Sequence, residues 1–366
     1  MNKKDVFMIH GTNYKEMTLQ LLEAANLAAV IGDTRKRIAL KPNLLCAKDP
    51  SLGATTHGEL TAGAIEYLKV HGFSDITVME SSWVGEQTMR SFHALGYDRI
   101  CETYGVPFID LQKDSSHTHD AKGMQIRVCD AALNVDFLIN LPVLKGHCQT
   151  TVTCALKNNK GVIPNSEKRR FHTLGLHKPI AHLNTVARND FILVDNICGD
   201  LDFEEGGNPV LMNRILGFWD PVLCDAYVCD SMGYSVDQVP YIRMAERLGV
   251  GCADTSQAHV IALNPDQRDS TRPKLTRRVE ALAGYIAPKD ACSACYGSLI
   301  HALDRLQESG QLKRNLPPIC IGQGWKNQPG GIGVGSCTSC CVKSLKGCPP
   351  RAVDMVRFLK EHWISS

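Results

Sequence analysis

Short apolar runs recur along the chain as far as Leu263, each ending in polar residues and most followed by a stretch with apolar positions at helical spacing. Residues 6–10 form the first run, 14–29 the helical stretch behind it, and 37–40 a second strand. Then follow a helix over 61–71 closed by Gly72, a strand over 76–79, a helix over 92–104 and a strand over 108–111. The polar segment through Lys122 reads as a surface loop, and 127–129 leads through a helical turn into a strand over 137–142. Helices over 179–187, 221–232 and 241–248 alternate with strands over 191–195 and 260–263. Strand and helix taking turns in this way predict an α/β fold, with an open, mostly parallel sheet flanked by helices.

In such sheets the ligand crevice lies beyond the carboxyl ends of the strands. Lys41, Asn43, Thr55, Thr56, Glu80 and Ser81 all follow strands and are expected to share one substrate-binding crevice. The competing role for each is a helix cap or a turn residue. The densest polar stretch follows the strand over 137–142: Lys145, His147, Thr150, Thr151, Thr153, Lys157, Asn158 and Lys160, then His172 and His177. Its lysines are separated by glycines and small residues instead of lying along one solvated helix face, which favours a carboxylate or phosphate site. Lys145, His147, Lys157 and His172 are the candidate catalytic acids and bases, once burial shifts their pKa values. Asn158, Lys160 and His177 join the binding set. The acidic, glycine-rich segment 199–209 offers Asp200, Asp202 and Glu204 to a divalent cation, or forms a flexible lid; its spacing is not that of a helix-loop-helix calcium site. His117 and His119 have ligand spacing but fall in the expected surface loop.

A chain of 366 residues can bury two cores. The polar stretch 264–274, with two prolines, marks a boundary between an α/β domain over 1–270 and a cysteine-rich region over 275–366. Net charge is +2 with 21% charged residues, and no broad basic face is present, so nucleic acid is not expected as a partner. Lys168-Arg-Arg170 and Arg277-Arg278 read as solvated helix ends. The N-terminus lacks the apolar core of a signal peptide and no run reaches bilayer length, which points to the cytoplasm and away from a membrane. Glycine motifs of the nucleotide-binding kinds are missing from the sequence, so neither ATP nor NAD is expected.

Sixteen cysteines in a reducing compartment argue for a metal or for buried thiols in place of disulfides. Most of the chemistry lies late in the chain, where Cys292-Ser-Ala-Cys295 precedes a glycine run over 330–335, then Cys337, Cys340, Cys341 and Cys348-Pro-Pro. Two cysteines three residues apart can share one metal centre, and glycines let backbone amides approach inorganic sulfide. The layout suits a 4Fe-4S cluster on Cys292, Cys295, Cys337 and Cys348, with Cys340 as the alternate to Cys337. A structural zinc ion is the rival, although zinc favours two short cysteine pairs. Cys320 reads as the end of a buried strand. Amphipathic helices over 299–309 and 352–363 are expected to pack over the cluster, and so open a cluster suits an anaerobic cell.

Lys41-Pro-Asn43, the phrase from Val135 to His147, Thr153 with the run from Ala155 to Gly161, His172, Glu205 to Pro209 and Cys224-Asp225 together resemble the family known as domain of unknown function 362, over roughly residues 36–235. Many members carry iron-sulfur motifs, often as a ferredoxin-type pair. This chain has a single Cys-x-x-Cys and a late Cys-Pro-Pro, which the resemblance translates into one cluster. A fainter likeness, in kind of site only, is to the nickel-pincer lactate racemases. It would give Lys145, His147, Lys157, His172 or His177 the work of holding a cofactor and moving protons or hydride at a hydroxy acid, with nickel as a second cofactor.

Three functions follow. One is an iron-sulfur oxidoreductase or lyase acting on a small anionic substrate held between Lys145 and His177. Another is an electron-transfer or accessory protein with a redox partner such as a ferredoxin. The last is a racemase-like isomerase whose cluster is structural.

Overall fold

The computed structural model describes residues 1–267 and 278–364. Arg277, and the second half of the expected boundary segment, lie outside the described residues. The chain divides into two compact units, one of residues 1–168 and 177–275, the other of 169–176 and 276–366.

The first unit is built on β1 (Asp5–His10), β2 (Ile38–Pro42), β3 (Ile76–Glu80), β4 (Phe108–Asp110), the hairpin β5 (Ser116–Ala121) and β6 (Met124–Cys129), β7 (Phe137–Leu141), the short pair β8 (Lys145–His147) and β9 (Thr151–Thr153), β10 (Phe191–Asp200), β11 (Pro209–Phe218) and β12 (His259–Ala262). Eight of these form one sheet in the order β12-β1-β11-β10-β7-β2-β3-β4. Only β11 runs against its neighbours, β1 and β10; the other pairings are parallel. Strands buried on both faces read as near-continuous apolar runs, and β2 and β7 are buried at every position. On one face Phe7, Ile9, Leu40, Val78 and Ile139 meet Leu21, Leu22, Leu60 and Leu68 of the helices Tyr14–Ala24 and Gly58–Val70. The helices Ala155–Asn158 and Pro221–Ser231 lie against β7 and β11. The second of these starts by the expected rules: Pro221 occupies the first turn, and the Asp220 carboxylate accepts from Val222 N at 2.8 Å and Leu223 N at 3.0 Å.

Three expectations are corrected, and one strand was not expected. The helix over 92–104 is two, Thr88–Ala94 and Tyr97–Tyr104, parted at Gly96, whose φ of 72° a continuing helix does not allow. The surface loop through Lys122 is the β5–β6 hairpin, turned at Lys122 and Gly123 with φ of 49° and 87°. His117 pairs there with Asp130 at 2.7 Å. The strand β11 was hidden behind the glycine-rich segment before it. Lys168 is buried, not a solvated helix end.

The second unit has a parallel sheet of β13 (Ile286–Pro288), β14 (Ile319–Ile321), β15 (Gly330–Val334) and β16 (Cys341–Leu345). The helices Ser293–Glu308 and Ala352–Leu359 pack together, burying Leu299, Leu303, Met355 and Leu359. The glycine run is thus a strand. A Cβ on Gly330 would lie 2.8 Å from the sulfurs of both Cys320 and Cys341, so two of its glycines make room for thiols on neighbouring strands. Among the described residues no helix is long and apolar enough to cross a membrane.

Candidate functional site

The ends of β2 and β3 place Lys41 and Glu80 side by side. Lys41 Nζ donates to Glu80 Oε2 at 2.8 Å and to the Pro42 carbonyl at 3.3 Å, with both side chains buried. Gly161 lies so close that a Cβ there would fall 1.9 Å from Glu80 Oε1 and 2.6 Å from Lys41 Nζ, which glycine alone avoids. Glu80 Oε1 accepts from Ser81 N at 2.6 Å. Lys168 Nζ donates to the carbonyls of Ser81 at 2.8 Å and Ser82 at 2.6 Å, and to the Ser81 hydroxyl. Burial lowers the Lys41 pKa against the pull of Glu80. Burial likewise brings Lys168 down to about 7, with Glu80 opposing the shift and Lys41 adding to it.

A chain of buried amides runs beside this pair. Asn43 Nδ2 donates to Asn158 Oδ1 at 3.0 Å, Asn158 Nδ2 to Asn140 Oδ1 at 2.7 Å, and Asn140 Nδ2 to Asn189 Oδ1 at 2.8 Å. Thr56 Oγ1 accepts from Asn43 N at 2.8 Å and donates to the Leu141 carbonyl at 2.8 Å, while Thr55 Oγ1 donates to the Lys48 carbonyl at 3.0 Å. The two threonine hydroxyls are therefore committed to holding loops.

The β8 strand carries Lys145 and His147 inward. Lys145 Nζ donates to the Ala54 carbonyl, and burial takes its pKa down to about 8, helped by Lys157 and opposed by Glu204. His147 Nδ1 accepts from Gln149 N at 3.0 Å and Thr150 N at 3.1 Å, which leaves the ring proton on Nε2. That Nε2 lies 2.8 Å from Glu204 Oε2 but off the line of a good hydrogen bond, so the contact is mainly electrostatic. Burial holds His147 down at about 4 against the pull of Glu204. Lys157 Nζ donates to the same Glu204 oxygen at 3.0 Å. Lys160 completes the group, pushed down to about 7 by burial and by Lys157. Burial would raise the Glu204 carboxyl, but His147, Lys157 and Lys160 outweigh it and keep the group well below the usual carboxylate range.

The segment bearing Glu204 is anchored, not a loose lid. Asp200 Oδ1 accepts from Asp202 N at 2.9 Å and Phe203 N at 2.8 Å, and Oδ2 from Asn208 N at 2.9 Å. A Cβ on Gly146 would meet the Leu201 carbonyl at 2.2 Å, so the segment presses on β8. With Asp200 capping amides and Glu204 facing cations, the expected divalent-cation site at Asp200, Asp202 and Glu204 is replaced by a loop clasp.

The structure gathers Lys41, Asn43, Glu80 and Asn158 in one cluster and Lys145, His147, Lys157 and Lys160 in another. His177 instead stacks on Tyr241, with ring centroids 5.9 Å apart. His172 belongs to the segment that groups with the second unit. Two members escaped the sequence reading. Lys168 shares a helix face with the buried Phe171, a spacing that marks it as inward. His57 Nδ1 lies 2.9 Å from Asp195 Oδ2; burial lowers its pKa, yet the bond to Asp195 more than compensates and raises it. Ammonium groups poised near neutrality can hold an anion or exchange a proton with it.

In the second unit Cys292 caps the helix Ser293–Glu308 and Cys295 lies in its first turn. Cys337 sits in the turn Ser336–Thr338 after β15, and Cys348 follows β16. Ser336 N donates to the Gly347 carbonyl at 2.9 Å and Gly347 N to Ser336 Oγ at 3.1 Å, tying the two later thiols together. Burial pushes Cys295 up to about 12, and Cys292, Cys348 and Cys337 add to it. Cys292 is raised by burial and then by Cys348 and Cys337, and Cys337 by burial and Cys348 against Lys326. Gly335 would set a Cβ 3.1 Å from Cys295 Sγ. Cys340 is exposed and adjoins the Cys341–Cys320 pair.

Fold and side chains define an open-sheet α/β protein with buried lysine and carboxylate clusters at its strand ends and a thiol-rich second unit. The chain belongs to the family described as Domain of unknown function (DUF362), whose model matches residues 38–230. It is 26% identical over 136 residues to a thylakoid-associated protein of Synechocystis sp., a match covering 37% of this chain and 42% of that protein. The match therefore spans about two fifths of that relative's length. Among solved structures, the lactate racemase apoprotein of Thermoanaerobacterium thermosaccharolyticum is similar at a TM-score of 0.39 and 12% identity, over 59% of this chain and 54% of that one. A structural-genomics protein of Thermotoga maritima is similar at 0.36 and 15%, over 69% and 61%.

Proposed function

We propose that this is an iron-sulfur protein, with one 4Fe-4S cluster on Cys292, Cys295, Cys337 and Cys348, and that its α/β unit binds a small anionic substrate for an oxidoreductase or lyase reaction. The approach of three thiol-bearing segments carries the reading: Gly335, two residues before Cys337, lies against Cys295 Sγ, and Ser336 is bonded to Gly347 beside Cys348. A bound cluster would supply single electrons. The chain's own contribution lies in Lys145, Lys157 and Lys160, which would bind the substrate's negative charge, and in the neutral His147, which presents its Nε2 proton toward the same space.

The test is iron and acid-labile sulfide per chain on anaerobically purified protein, with electron paramagnetic resonance before and after dithionite. About four of each, with a reduced signal that shifts on adding lactate or phosphate, supports the whole reading. Four of each without a shift keeps the cluster and turns the protein into an electron carrier. Zinc in place of iron overturns the redox assignment.

A further inference from the structure

A third set of donors lies inside the α/β unit, apart from the lysine clusters. Cys154 follows β9, and Cys224 and Asp225 lie on the helix Pro221–Ser231. All three are fully buried. The sulfurs are 3.8 Å apart, and each residue has a donor atom within 4.8 Å of the other two. The Tyr241 hydroxyl adjoins Asp225 and donates to the Val152 carbonyl at 3.2 Å. We propose that Cys154, Cys224 and Asp225 form a closed structural site for a zinc-like divalent ion, with the Tyr241 oxygen or the Val152 carbonyl beside it as fourth ligand.

Three observations converge. A sulfur separation of 3.8 Å equals that of two thiolates on one tetrahedral ion with metal–sulfur bonds of about 2.3 Å. The Asp225 carboxylate accepts from Leu156 N at 3.3 and 3.4 Å and adjoins Ala155 N and the Tyr241 hydroxyl, all of them neutral groups. A carboxylate buried without a counter-charge is costly, and a dication supplies the charge. Two thiolates with a carboxylate suit zinc, whereas calcium and magnesium take all-oxygen shells. Binding displaces the two thiol protons, so occupancy falls as pH drops.

The experiment compares zinc retained by the full chain after chelator treatment with that of Cys154→Ser/Cys224→Ser, measuring iron in parallel. The wild type should keep about one zinc per chain that the double variant loses, with equal iron in both. Asp225→Asn keeps the volume and the acceptor for Leu156 N. It serves if the double variant fails to fold, and should retain zinc at least about tenfold more weakly with unchanged circular dichroism. Equal zinc in wild type and variants, no zinc in the wild type, or a Cys154–Cys224 disulfide in anaerobically prepared protein would each overturn the site. Should the later thiols bind zinc instead of a cluster, all variants gain the same amount, and the difference between them still reports on this site.

Discussion

In the α/β unit the buried lysines meet carboxylates or peptide carbonyls: Lys41 with Glu80, Lys145 with Ala54, Lys157 with Glu204, Lys168 with Ser81 and Ser82. In the second unit burial raises the thiols of Cys292, Cys295 and Cys337, and neighbouring thiols add to that rise. The lysine crevice has its cations paired within the protein. The second gathers like groups that repel once ionised, and only a cation or cluster makes their proximity favourable. The lysine crevice and the late thiol cluster thus occupy different units, and each fails in its own way.

The largest effect should come from Cys295→Ala. It removes the most buried of the four thiols, at the first turn of the helix Ser293–Glu308, and should abolish bound iron and sulfide. The α/β unit should keep its urea transition, followed by circular dichroism. Loss of that transition along with the iron would mean that the two regions are not independent in stability.

Next is Lys41→Met, which leaves Glu80 buried beside one fewer cation. Breaking a buried pair costs about 3–5 kcal/mol, whereas a surface pair is worth about 1 or less. Urea denaturation should show the larger figure, and adding Glu80→Gln should recover much of it. A cost under about 1 kcal/mol would remove the claim that this crevice is tightly organised.

The pH dependence follows from the lysines. Lys160 and Lys168 titrate near 7 and Lys145 near 8 in the folded chain, against about 10.4 when exposed. Between those values the unfolded chain binds more protons, so folding stability rises from about pH 7 toward 10. Anion binding needs the charged forms and moves the other way. Sulfate, which does not titrate in this range, should bind roughly thirtyfold more weakly at pH 8.5 than at pH 6, the loss expected if one lysine of pKa near 7 must be protonated. Isothermal titration across that range checks it; a flat profile would separate these lysines from the anion site.

How far the sequence reached differs between the regions. The parallel strands were legible because burial on both faces leaves uninterrupted apolar runs, as in β2 and β7. Strand β11 was not, since its first half is half-exposed and mixed in character. The hairpin β5–β6 hides for the same reason, having alternation too polar to stand out. Lys41, Glu80, Lys145 and Lys157 were found by their position after strands. Lys168 was missed because the charge run 168–170 looks solvated, although Lys168 alone turns inward. The glycine run's packing role was invisible, because Gly330 and Gly333 serve Cys320, Cys341 and Thr338 across strands that pair only in three dimensions.

A smaller but more discriminating change is Glu204→Gln. The Glu204 carboxylate lies 2.8 Å from His147 Nε2 and 3.0 Å from Lys157 Nζ, the position that the proposed function gives to the substrate's negative end. If it acts as an internal stand-in for that substrate, removing its charge frees Lys157 without altering side-chain volume. Sulfate should then bind about tenfold more tightly, or about 1.4 kcal/mol. His147 should stay neutral, because Gln149 N and Thr150 N still donate to Nδ1 and the loss of a nearby anion lowers its pKa further. Nitrogen chemical shifts of that ring would report the tautomer directly. Weaker sulfate binding would give Glu204 the opposite part, of holding the cations in place. The preorganisation that sets this crevice apart from the thiol cluster would then depend on a single carboxylate.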